Sequence, residues 1–256
     1  MKILNPRGNA NLHTHTVYCD GKDTPEELVQ RAMELGMAAI GFSGHEYSPH
    51  DTDFCMSQEG TRSYIDDILR LREKYKDQIT IYLGIERDYF GEIDEFPYDY
   101  VIGSLHYVEK DGVLLPVDYT SEDMEQNVEK YFGGNYQAYV ERYYQLLGDV
   151  VEKTNATIVG HFDLITKFNE DNRYFDEEAD WYKEAALEAL RKVAKHKPIF
   201  EINTGAMARG CRTKPYPADF LLEEIDRLGC QFVLSSDCHD KMNINHEFCK
   251  IIEKLV

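Results

Sequence analysis

Two short motifs near opposite ends of the chain bring together residues that bind metals. In His13-Thr14-His15 the two imidazoles are two positions apart. On a strand they share one face while Thr14 takes the other. Such a pair suits a borderline divalent cation. It is also short enough to be two structural histidines, so alone it leaves the choice open. Ser235-Ser236-Asp237-Cys238-His239 repeats the device. There Asp237 and His239 face together and Cys238 turns into the packing. An Asp and a His buried behind Phe232-Val233-Leu234 need partners or a metal. The plainer alternative is a hydrogen-bonded Asp–His pair that caps the strand.

Four further residues stand at the ends of apolar runs. His45 follows Ile40-Gly41-Phe42-Ser43-Gly44, and Glu86 follows Tyr82-Leu83-Gly84-Ile85. His106 ends Val101–Leu105, and His161 ends Ile158-Val159-Gly160. One histidine in such a place is more often structural than catalytic. Four alike, beside the two paired motifs and Asp20 in the loop Tyr18–Gly21, are hard to attribute to accident. The candidate ligands are His13, His15, Asp20, His45, Glu86, His106, His161, Asp237 and His239. One tetrahedral zinc takes about four ligands. The set therefore implies two or three metals.

The elements that must position these residues alternate in kind. Strands are expected at Ala10–His15, Ala38–His45, Ile79–Asp88, Tyr100–Val108, Thr157–Asp163, Ile199–Gly205 and Phe232–His239. Helices are expected at Thr24–Gly36, Tyr64–Tyr75, Tyr136–Val151, Glu177–His196, Pro217–Leu228 and His246–Leu255. Lys110–Asn135 reads as a long loop with a short helix. Seven strands alternating with helices argue for a parallel α/β sheet. An open sheet gathers ligands at one switch point. A barrel lets every strand deliver a side chain to its C-terminal mouth. The first five strands and the seventh each carry a His or Glu there, which favours the barrel. No linker or repeat divides residues 1–256, so one domain is expected.

Composition narrows the function classes. The chain has 28 basic against 47 acidic residues, a formal net charge of −19. Such a surface repels polyanions, so nucleic acid is not an expected partner. A small phosphorylated substrate remains compatible, because bound cations offset acid where the phosphate lands. No stretch approaches the ~20 apolar residues of a membrane span, and no apolar run opens the chain as a signal peptide would. A cytoplasmic location is the default expectation. The six cysteines form no C-x-x-C pair and read as free thiols.

The ordered motifs carry a resemblance. Asn11-Leu12-His13-Thr14-His15 with Asp20, Ser43-Gly44-His45, Gly84-Ile85-Glu86, Gly103-Ser104-Leu105-His106, Gly160-His161-Phe162-Asp163 and Ser236-Asp237-Cys238-His239 together look like the PHP family of metal-dependent phosphoesterases. Within it, the chain resembles the histidinol-phosphate phosphatases over essentially its whole length. The resemblance implies a distorted TIM-like barrel of seven β/α units. It also implies three divalent ions: one on His13, His15, Glu86 and Asp237, a second on Glu86, His106 and His161, and a third on Asp20, His45 and His239. Glu86 would bridge the first two. Some relatives have His where this chain has Asp20, and an oxygen ligand there shifts metal preference. Zinc, iron and manganese all suit the donor set.

The resemblance points to L-histidinol phosphate as substrate. The expected chemistry is attack of a metal-bridging hydroxide on a phosphate monoester, with Glu86, Asp237 and His239 at the reacting centre. Related phosphatases carry a basic residue in the loop after the sixth strand. Arg209 is the first candidate for the phosphate and Arg212 the second, against the reading of solvated surface arginines. An amidohydrolase also opens with H-x-H, but the strand count, Glu86 and His106 argue against it. A PHP phosphoesterase acting on another small ester, such as a nucleoside bisphosphate, is the nearer alternative. A non-catalytic metal-binding module would be expected to lack ligands, and none is lacking.

Overall fold

Short β-branched runs and amphipathic helices alternate along the chain, and the computed structural model, which describes residues 1–5 and 7–255, shows how they curl around one another. Pro6 and Val256, which the one-domain expectation includes, lie outside the described residues. In chain order come β1 (Lys2–Ile3), β2 (Ala10–Asn11), α1 (Pro25–Glu34), β3 (Ala39–Phe42), α2 (Gln58–Tyr75), β4 (Thr80–Asp88) and β5 (Tyr100–Ser104). A hairpin of β6 (Tyr107–Lys110) and β7 (Val113–Pro116) follows, then α3 (Ser121–Phe132), α4 (Tyr136–Leu147), α5 (Val150–Thr154) and β8 (Ile158–Val159). The chain ends with α6 (Asp180–Val193), β9 (Ile199–Asn203), α7 (Gly205–Ala208), α8 (Asp219–Arg227), β10 (Gln231–Ser235) and α9 (Phe248–Leu255).

The parallel sheet runs β2-β3-β4-β5-β8-β9-β10-β1. It curls until β2 approaches β10, where Thr14 forms a parallel bridge with Cys238 and the His15 N–H donates to the Cys238 carbonyl at 2.9 Å. Side chains complete this seam. The Asn5 amide donates to the Ala10 and Leu234 carbonyls, both at 2.8 Å, and accepts the Leu234 N–H at 2.9 Å. Asn11 donates at 2.8 Å to both the Ser236 hydroxyl and the Ile244 carbonyl. The result is a distorted TIM-like α/β barrel.

Its interior is filled rather than open. Tyr100 lies across the barrel, and its hydroxyl donates to the Phe42 carbonyl at 3.1 Å. Gly41 and Gly84 admit this side chain: a Cβ at Gly84 would come within 2.3 Å of the ring, and one at Gly41 within 2.4 Å of the hydroxyl. Outside the barrel, β3 and β4 pack on α1 and α2 through Ile40, Ile81, Leu28 and Ile68. The other half packs on α4, α6 and α8 through Phe200, Tyr144, Leu190 and Ile225. The first helix starts as its sequence suggested, with a capping box between Thr24 and Glu27.

Several expected boundaries are corrected. The first strand pairs continuously only at Ala10–Asn11 and again through the single Thr14–Cys238 bridge, because Thr14 N–H turns to the Ser43 hydroxyl at 3.2 Å and His13 N–H to the Asn11 side chain at 3.1 Å. The last strand stops at Ser235, and Asp237 sits at φ +48° before pairing resumes at Cys238. The fourth divides at Leu105-His106 into β5 and β6. The region 110–135 is not mainly loop. Asp111-Gly112, both at positive φ, turns the β6–β7 hairpin, and a helix of 12 residues follows between a Thr120 N-cap and a left-handed Gly133. The second helix begins at Gln58, capped by Ser57, six residues before its expected start.

Candidate metal centre

The strand ends converge on one polar cluster at the C-terminal mouth of the barrel. All nine predicted ligands are in it. Glu86, the seventh residue of β4, is at its middle and almost fully buried. Its Oε2 lies 3.2 Å from His13 Nε2 and 3.5 Å from His15 Nε2. Asp237 Oδ1 lies 3.6 and 3.1 Å from the same two nitrogens. The other Glu86 oxygen, Oε1, lies 3.5 Å from His106 Nε2 and 3.1 Å from His161 Nε2. Ligands on one tetrahedral ion with bonds near 2.1 Å sit roughly 3.4 Å apart. These separations match that spacing, and the two Glu86 oxygens face two different histidine sets.

A third group lies nearer solvent. Asp20 Oδ2 is 2.9 Å from His239 Nε2, and Oδ1 is 3.8 Å from His45 Nε2. The groups are not sharply separate. His15 Nδ1 is 3.6 Å from Asp20 Oδ1, and His45 Nδ1 is 3.0 Å from Glu86 Oε2. His15, Asp20, His45 and His239 offer ligand atoms all within 4.8 Å of one another, as do His13, His15 and Glu86, and His45, Glu86 and His106.

Burial tests whether these residues fit divalent ions. His13 Nε2, His15 Nε2, Asp20 Oδ1 and Glu86 Oε2 are buried without a hydrogen-bond partner among the described residues. Orphaned polar atoms of this kind are costly. Cations set among them, one at His13, His15 and Glu86 and another at Asp20, would satisfy all four atoms and neutralise the carboxylates. Imidazole nitrogen with carboxylate oxygen suits zinc, iron or manganese.

Without cations the same crowding distorts the titration of the cluster. Burial lowers the His15 imidazole pKa to about 3, helped by His239 and His45. At His13 burial acts the same way but is outweighed by Glu201, Glu86 and Asp237, which raise its pKa well above the ordinary value. Burial would raise Glu86, yet His13 and His45 hold it well below the carboxylate range. Asp237 is held low against burial by Arg209 and His13. Protons and cations therefore compete for one set of atoms.

Carboxylates behind the ligands aim them, and sequence reasoning missed these. Glu201 on β9 is buried, and its Oε1 meets His13 Nδ1 at 2.6 Å. It also accepts the His161 N–H and the Asn203 amide, both at 2.8 Å, and the Ser235 hydroxyl. Asp88 lies 3.3 Å from His106 Nδ1 and accepts the His106 N–H at 3.0 Å. His106 is pushed up to about 9, since burial is overcome by Asp88 and Glu86. Such outer carboxylates fix the tautomer and direction of a ligating imidazole. The available signal was a charge inside an apolar strand, Ile199-Phe200-Glu201-Ile202-Asn203. His50 stands behind Asp88 with Nε2 at 3.7 Å.

The two candidate arginines part company. Arg209 reaches the centre: it donates to Asp237 Oδ2 at 2.9 Å and to the Asp237 carbonyl at 3.2 Å, and lies 3.3 Å from His239 Nδ1. It lines a cleft of about 240 Å³ together with seven of the nine ligand candidates, all but the fully buried His13 and His15, and with Lys167, Asp118, Tyr119, Phe54 and Asp51. Arg212 points elsewhere. It pairs with Glu177 at 2.8 and 3.0 Å and donates to the Thr166 carbonyl at 3.0 Å. It lines a separate cleft of about 480 Å³, with Asp163 and Tyr216 but none of the nine ligand candidates. Lys167, which the sequence reading passed over, is the second cation at the mouth.

A TIM-like barrel with a buried histidine–carboxylate cluster on its C-terminal rim offers several groups of side chains suited to binding metal ions. The chain belongs to the PHP domain family, whose model matches residues 11–205. It is similar to the "Probable histidinol-phosphatase" of Deinococcus radiodurans, with 27% identity over 97% of this chain and 93% of the relative. A crystal structure from Listeria monocytogenes shares the fold at a TM-score of 0.81, with 21% identity over 94% of this chain and 99% of the other. The histidinol phosphate phosphatase of Lactococcus lactis, solved with zinc, L-histidinol and phosphate, matches at a TM-score of 0.68 and 25% identity. That match covers 96% of this chain and 92% of the other. Among the described residues, no helix is long and apolar enough to cross a membrane.

Proposed function

We propose that the protein is a metal-dependent phosphatase that hydrolyses L-histidinol phosphate to L-histidinol and phosphate. The observation that carries the reading is Glu86, whose two oxygens face separate histidine sets beneath a cleft that also holds Arg209 and Lys167. His13, His15, Glu86 and Asp237 would hold a first ion. Glu86, His106 and His161 would hold a second, and Asp20, His45 and His239 a third. Divalent ions so placed would supply a nucleophilic hydroxide at neutral pH and would neutralise charge on the phosphoryl group.

The chain's own groups do the rest. Glu201 and Asp88 hold the His13 and His106 rings in one orientation. Arg209, anchored by Asp237, presents guanidinium N–H groups to phosphoryl oxygens. Lys167, held by the Asp118 carbonyl at 2.7 Å, adds a second positive charge. The ester proposed is that of the Lactococcus ligands, and a cleft of this size suits a small molecule. The six free cysteines agree with a reducing, cytoplasmic setting.

Steady-state phosphate release from L-histidinol phosphate by the metal-loaded protein tests the proposal. Arg209→Ala is expected to lower kcat/KM by about 100-fold, as loss of a charged phosphate contact does. Undiminished turnover in the metal-stripped protein, or turnover of a nucleoside bisphosphate in its place, would overturn it.

A further inference from the structure

One wall of the catalytic cleft has no part in holding metal or phosphate. Phe54, in the loop before α2, and Tyr119, just after β7, meet there with ring centroids 4.9 Å apart and planes at 50°. Both remain well exposed, Phe54 at 37% and Tyr119 at 39%. They line the same cleft as Arg209, Lys167 and the ligand candidates. Their exposure marks them as something other than core. A carboxylate is fixed beside them: the Tyr119 hydroxyl donates to Asp51 Oδ1 at 2.9 Å and lies 2.7 Å from the Tyr107 hydroxyl. The Tyr107–Tyr119–Asp51 chain sets both the ring and the charge. The cleft is thus divided, with cations on the Arg209 and Lys167 side and aromatic faces with an acid on the other.

We infer that Phe54, Tyr119 and Asp51 form the subsite for the organic end of the substrate and select esters whose alcohol carries a flat ring and positive charge. The inference rests on the phosphatase reading above and adds to it the residues that choose the ester. A cationic ring gains from aromatic faces and from a nearby carboxylate together. The imidazole and ammonium groups of L-histidinol meet both demands, whereas a neutral polyol phosphate meets neither. The β6–β7 hairpin contributes Tyr107 and leads into Tyr119, so this insertion after β5 has a task in specificity.

Calorimetric titration of the metal-loaded protein with L-histidinol, which lacks the phosphate, reads this end alone. Phe54→Ala is expected to weaken binding about ten-fold, the size of a cation–aromatic contact in a partly dry site. Asp51→Asn is expected to weaken it about three-fold, as for a partly screened charge. Titration with inorganic phosphate checks that both variants keep a folded centre. L-histidinol affinity unchanged in both variants overturns the subsite and shows a ligand held by the metals alone. L-histidinol binding that depends on Phe54, in a protein that does not hydrolyse L-histidinol phosphate, supports the subsite and overturns the phosphatase reading instead.

Discussion

The inner and outer parts of the cluster differ in how firmly the fold holds them. His13, His15, Glu86 and His161 have side chains at most 4% exposed. Asp20, His45 and His239 range from 17 to 25% exposed. Inner ligands are also aimed from behind. Glu201 clamps His13, Ser104 donates to Glu86 Oε1 at 2.6 Å, and Asp88 stands behind His106. The outer His239 has Nδ1 3.0 Å from the Asp237 carbonyl and shares Arg209. In the proposed centre, this depth and orientation would make the inner pair the more firmly held part, and the outer group the one open to exchange with solvent and substrate.

Substitutions across this divide should grade accordingly. Glu86→Gln removes a charge from both inner sets at once. We predict loss of roughly 10³-fold in kcat/KM, together with loss of bound metal, as measured by phosphate release and elemental analysis. Glu201→Gln leaves every ligand in place but weakens the aim of His13. We predict that metal affinity or activity drops by about 10- to 100-fold, read by chelator competition. Asp20→Asn strikes only the outer group. Activity should fall by about ten-fold while the inner pair stays loaded. An Asp20 variant that empties the inner sites would break the distinction between them.

The smallest effect on activity is predicted at Arg212. Arg212→Ala should change KM for the ester by less than about two-fold, since its guanidinium is committed to Glu177 and Glu170. It should lower stability in a urea melt by about 1–3 kcal/mol, because it leaves partly buried carboxylates unpaired. Arg209→Ala carries the opposite pattern and separates the two arginines.

The nine ligand candidates were legible because strand ends at a barrel mouth put His and carboxylate after apolar runs. The barrel was legible for the same reason. What the chain hid was mainly distant pairing. Glu201 meets His13 across 188 positions, and nothing local to Ile199–Asn203 names that partner. Arg209 and Arg212 are three apart in one loop, yet Asp237 draws one and Glu177 the other. The β6–β7 hairpin carried a local signal in Asp111-Gly112, but its strands are only four residues each, too short for a clear alternation. The broken pairing at residues 10–14 reflects side chains taking over the backbone's hydrogen bonds, which no periodicity reveals.

The central claim is that the buried cluster is a metal centre that hydrolyses a phosphate ester. The most direct test strips the protein with a chelator and restores divalent metal stepwise, following bound ions and phosphate release from L-histidinol phosphate together. The account predicts no turnover in the stripped protein and activity that rises as the inner pair around Glu86 fills. Full turnover before any ion is bound, or a fully loaded centre with no hydrolysis, would contradict it.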